Sequence, residues 1–138
     1  MSTEWFLQAH VNGRDQPVDA AKILFEIRRE KTKEWRESID VFFEDGQFST
    51  FFIDAAASVI SSIMVARPVK AVRLNELLFR IMKLGNFILF APDGAFPIAL
   101  VADIEAHLPP GMVQGIGAPR IAHSSVEFET LISRLYSE

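Results

Sequence analysis

Residues 85–101 read Gly85-Asn86-Phe87-Ile88-Leu89-Phe90-Ala91-Pro92-Asp93-Gly94-Ala95-Phe96-Pro97-Ile98-Ala99-Leu100-Val101, two dense apolar runs split by a turn signal. Proline presets φ for the second position of a turn, Asp93 suits the third, and Gly94 is free to close it with positive φ. The runs 87–91 and 96–101 are apolar at nearly every position instead of at alternate ones, so both faces of this hairpin are expected to be covered.

Outward from this hairpin, the chain of 138 residues suits one domain spanning 1–138. Its folded surface scales to roughly 7,000 Å² against about 22,000 Å² unfolded, enough burial without covalent staples. The absence of cysteine excludes disulfides, thiolate zinc sites and a cysteine nucleophile. No basic-then-apolar leader opens the sequence, and charges and prolines interrupt every apolar run, so a cytoplasmic protein without a membrane span is expected. The net charge of -4 argues against nucleic acid as the partner. Arg28, Arg29, Lys31, Lys33 and Arg36 alternate with Glu26, Glu30, Glu34 and Glu37, the pattern of a solvated helix face.

Periodicity divides the rest. Residues 4–11 alternate as a half-buried strand with Trp5, Leu7, Ala9 and Val11 inward and His10 on the more polar side. Asp19 caps a helix over about 20–32 whose stripe is Ala20, Ile23, Leu24 and Ile27. From Trp35 the period is two, with Trp35, Ile39, Val41 and Phe43 on one face. Asp45-Gly46 is a two-residue hairpin turn, which pairs Phe43 with Phe48, Val41 with Thr50 and Ile39 with Phe52. The other face then carries Phe42, Asp40 and Phe51 beside the carboxylates of Glu37, Glu44 and Asp45. Asp54 caps a helix over 55–66, Val69–Arg73 reads as a short strand, and Asn75 caps a helix that runs to Leu84 and ends at Gly85. A short helix is favoured over a strand at 103–108. A loop follows over 111–123, and the last helix opens on a capping box of Ser124 and Glu127.

The expected architecture is therefore α+β: a mainly antiparallel sheet of two hairpins plus the N-terminal strand, with helices packed on it. Motifs for chemistry are sparse. Asp103, Glu105 and His107 would share one face of a strand, as in a metal or acid/base site; on a helix only Asp103 and His107 converge. Gln114-Gly115-Ile116-Gly117 lacks the third glycine and flanking elements of a dinucleotide loop. No catalytic residue, metal or cofactor is assigned. Small immunity proteins and secretion chaperones share this size, acidity and layout, although no motif maps onto them. The reading is a non-catalytic inhibitor-like or chaperone-like protein. Its surface of Glu37, Asp40, Phe42, Glu44, Asp45 and Phe51 meets a basic protein partner such as a toxin or effector, or a second copy of the chain. The alternative is a small enzyme or ligand-binding domain built on Asp103, Glu105 and His107.

Overall fold

β1 (Glu4–Val11) is the strand on which the sheet is assembled. The computed structural model describes residues 4–136. β1 pairs antiparallel with β8 (Ser62–Ala66) on one side and β9 (Phe87–Phe90) on the other. Beyond β8 lie β6 (Phe48–Phe52), β5 (Ser38–Phe42) and the edge strand β4 (Lys31–Glu34); beyond β9 lie β10 (Ile98–Ala99) and β11 (Arg120–Ile121). β10 and β11 run parallel; the other pairs in this sheet are antiparallel. β2 (Arg14–Asp15) folds back on β1 through Asn12 and Gly13, both at positive φ as a tight hairpin turn requires. A separate two-stranded ladder joins β3 (Val18–Asp19) to β7 (Val59–Ile60).

One face of the large sheet is fully covered. The registers place Ile39, Phe51, Val65 and Trp5 side by side, and Leu7, Leu89 and Ile98 beside one another. All are buried against α1 (Ala20–Ile27), α2 (Val72–Met82) and α4 (Ser125–Tyr136) in one apolar cluster. The stripes that do this are Ile23, Leu24 and Ile27 on α1, Leu74, Leu77, Leu78 and Ile81 on α2, and Phe128 and Ile132 on α4. Arg80 ties α2 to α1 by bonds to Glu26 at 2.9 Å and Glu30 at 3.1 Å.

The 85–101 hairpin has its expected double cover. Phe87, Leu89 and Ile98 enter the main core. Ile88 and Ala99 face the other way, into a second cluster with Ile104, Leu108 and the short α3 (Met112–Ile116). The connection is far longer than a tight hairpin: the ladder closes at Leu89 and Ile98, and residues 91–97 lie between the two strands. Gly94 donates to the Ala91 carbonyl at 3.0 Å and does not use positive φ. Its value is close approach: a Cβ there would lie 3.2 Å from Ala91 Cβ.

The second hairpin differs in register. A two-residue turn at 45–46 would pair Phe43 with Phe48, whereas Glu44–Gly46 forms a three-residue turn closed by Phe43 N–H donating to Gln47 O at 2.7 Å. Phe42 therefore faces Phe48, Asp40 faces Thr50 and Ser38 faces Phe52. A one-residue slip exchanges the faces of a whole strand. Phe51, expected on the outer surface, is 0% exposed in the core, and Phe52, expected inside, is 42% exposed.

Other segments also depart from their local signals. The helix expected over 20–32 stops at Ile27, and the charged run becomes edge strand β4, where lysines suit an unpaired edge. Trp35 is 53% exposed and donates its indole N–H to Asp40, rather than joining the Ile39 face. The helix expected over 55–66 is instead β7 and β8: Ile63 and Val65 alternate inward as a central strand, and Asp54 caps only a turn through Ala56 N–H. Lys70 and Ala71 precede α2 where a strand was expected, and Asn75 lies inside that helix and donates to Glu129 at 2.8 Å. The 111–123 segment contains α3 and β11 instead of loop alone. The terminal cap holds, with Ser124 Oγ accepting from Glu127 N–H.

Phe51→Ala is expected to cost about 3–5 kcal/mol, as for a buried aromatic, while Phe52→Ala costs about 1 kcal/mol or less. Urea denaturation of the two variants checks the register directly: the reverse order would restore the two-residue turn.

Candidate functional site

Among the described residues, the face of the sheet opposite the helices is covered where α3 and the 104–108 segment pack on Ile88 and Ala99, a cluster against which Phe90 also rests. Elsewhere it is open, and cross-strand registers order its side chains into rows. One row runs Ser38, Phe52, Met64, Phe6 and Phe90 across β5, β6, β8, β1 and β9. Phe6 and Phe90 stack at 5.6 Å, and Met64, Phe6 and Phe90 remain half-buried beside the exposed Phe52. The next row holds Lys33, Asp40, Thr50, Ala66 and Glu4. The third holds Lys31, Phe42 and Phe48. Phe42 and Phe48 rings lie 5.3 Å apart, and Arg67 sits with its Cζ 4.4 Å above the Phe48 ring.

This arrangement follows from the pleat. Strand neighbours about 4.8 Å apart present side chains of alternate residues on the same face, so an apolar residue at one register position of four successive strands makes a continuous stripe. Asp40 and Glu4 are acids of this face; Asp40 accepts from Thr50 at 2.7 Å and from the Trp35 indole at 3.2 Å. Lys33 stacks over the same indole at 4.6 Å.

Of the six residues expected to form a binding surface, the structure brings Asp40 and Phe42 onto this face. Phe51 is core. Glu37 lies at the Phe52 end, lining a shallow cleft with Phe52 and Asp54. Glu44 and Asp45 line a cleft with Phe43, Lys70 and Arg73 at the start of α2. Trp35, Phe48 and Phe52 belong to the face and were misplaced by sequence reasoning, although a three-residue reading of the Glu44-Asp45-Gly46 turn would have found both phenylalanines.

The acid and imidazole group is smaller than its sequence spacing suggested. Residues 104–106 form one 3₁₀ turn. Asp103 Oδ2 lies 3.6 Å from His107 Nε2, and His107 Nδ1 accepts from Asn12 N–H at 3.3 Å. Among the described residues no three His, Asp or Glu side chains converge as metal ligands, and no helix is long and apolar enough to cross a membrane.

His10 is 4% exposed, where an outward position was expected. The backbone of Asn86 accepts from its N–H, and β2 folds beside it, so this end of β1 is covered despite its polar sequence. Its Nε2 meets Gln8 Oε1 at 3.1 Å, while buried Nδ1 has no hydrogen bond and lies 3.8 Å from the Asp15 carboxylate. Burial lowers the pKa of the imidazole, against a smaller upward pull from Asp15.

Comparison of the chain with family models, with curated proteins and with solved structures gives no match.

Because the folded pKa of His10 lies below its unfolded value, the unfolded chain takes up this proton first as pH falls. Stability is expected to decline from about pH 6.5 downward through the folded pKa. Urea titrations at pH 7.5 and 5.0 check this: His10→Gln should show a smaller loss between those pH values than the wild type.

Proposed function

We propose that this chain is a non-catalytic binding domain that docks a protein partner on the open aromatic face of its sheet, in an inhibitor-like, immunity-like or chaperone-like role within the cytoplasm. The observation that carries the reading is the stripe Phe52, Met64, Phe6 and Phe90, which ends in a 42% exposed phenylalanine, with a 53% exposed Trp35 in the same row beyond Ser38. A sheet face of this kind leaves apolar area in water, and exposed aromatic clusters with a polar margin are the usual anchors of protein interfaces. Glu37 and Asp54 at the Phe52 end supply carboxylates for basic groups of a toxin-like or effector-like partner.

A second reading rests on the Asp103–His107 pair at 3.6 Å, which could orient a small polar ligand. A thermal-shift screen of metabolites separates the two, since a ligand that binds only the folded chain raises its melting temperature.

The test is purification from the native host at several salt concentrations. A stoichiometric protein partner is expected, with affinity falling tenfold or more on Phe52→Ser while the melting temperature of the free chain changes little. Recovery of the chain without any such partner, or a complex indifferent to Phe52→Ser and Trp35→Ala, overturns the reading.

A further inference from the structure

Resting on the docking reading above, we infer that the Phe42–Phe48 end of the open face receives an acidic, apolar segment of the partner: carboxylates flanking an aromatic or branched aliphatic side chain. The third row of the face sets an aromatic pair between two cations, Lys31 on β4 and Arg67 after β8, with Lys33 in the adjoining row. All three cations are exposed, and none has a carboxylate partner among the described residues. By contrast Arg28, Arg29, Arg73 and Arg80, on the helical side, are each paired with Glu26, Glu30 or Glu34. Of the carboxylates in the adjoining row, Asp40 already accepts hydrogen bonds from Thr50 and Trp35, and Glu4, opposite Ala66, is also engaged.

Spacing sets the shape of the occupant. From β4 to β8 there are three strand steps, about 14 Å, so an extended segment of roughly five residues places its end carboxylates over Lys31 and Arg67 and a central side chain on the two rings. Glu37 and Asp54 lie at the opposite, Phe52 end, while the turn acids Glu44 and Asp45 line the cleft with Phe43, Lys70 and Arg73 at the start of α2; the acidic part of the segment therefore lies over Phe42 and Phe48 and its basic part over Phe52. Stacked nucleic-acid bases fit less well, because Arg67 and Lys33 already cover the Phe48 and Trp35 rings and Phe6 and Phe90 cover each other.

The experiment is selection from a random 16-residue peptide display library on the immobilised full chain at low salt, with counter-selection on the K31E/K33E/R67E variant. These substitutions are on exposed side chains, and circular dichroism verifies that the variant is folded. The expected outcome is enrichment of acidic, aromatic-containing peptides whose affinity drops at least tenfold on the triple charge reversal and falls as salt rises. Enrichment of basic or uncharged peptides, no enrichment over the triple variant, or tighter binding of an oligouridylate overturns the inference. Peptides that lose binding on Phe52→Ser but not on charge reversal reject the acidic segment while leaving the docking face intact. Peptides insensitive to both reject the face itself.

Discussion

The ladder that β1 makes on both of its edges is the constraint from which the rest of the structure follows. Pairing with β8 fixes Trp5 beside Val65 and Leu7 beside Ile63, and pairing with β9 fixes Leu7 beside Leu89 and Ala9 beside Phe87. Once these odd-numbered residues of β1 are inward, every neighbouring strand has one face assigned to the helices and one assigned away from them. Burial of Leu7, Ile63 and Leu89 at 0% exposure holds that assignment, since turning any of these strands over would move large apolar side chains into water at about 1.5–3 kcal/mol each.

The two faces are treated differently. The helical face gains three helices whose stripes fill it, and Arg80 bridges α2 to Glu26 and Glu30. The other face is closed at one end by the 104–116 segment, which receives Ile88 and Ala99, and is left open over β5, β6 and β8. At that open end Lys31, Lys33 and Arg67 have no carboxylate partner among the described residues, and the aromatic rings are half-buried or exposed. Both are features of a surface suited to a partner's side chains, and the proposed docking role draws its residues from there.

The sparse chemistry of the chain is consistent with that division. Among the described residues Asp103 and His107 meet one turn apart without a third acid or imidazole, and His10 is held in the fold next to Gln8 and Asp15. Burial of an imidazole whose Nδ1 lacks a hydrogen bond costs stability, more so in acid. Its position at the turn from β1 to β2 makes it a structural residue of that turn.

Sequence periodicity by itself determined the α+β class, the inward Trp5, Leu7 and Ala9 of β1, the stripes of α1 and α4, the caps at Asp19 and Ser124, and the double cover of the 87–99 hairpin, because each is set by contacts within a few residues or by uninterrupted apolarity. Tertiary structure decided the rest. Val59–Val65 contains residues compatible with a helical stripe, and only the vacancy between β1 and β6 makes 62–66 a strand. Asp45-Gly46 suits either a two-residue or a three-residue turn, since both its residues adopt positive φ; the core's demand for Phe51 beside Ile39 and Val65 selects the longer one. That choice of one residue turns Phe48 and Phe52 outward, so the candidate surface was legible in composition but its members were fixed by a register that no local signal encodes.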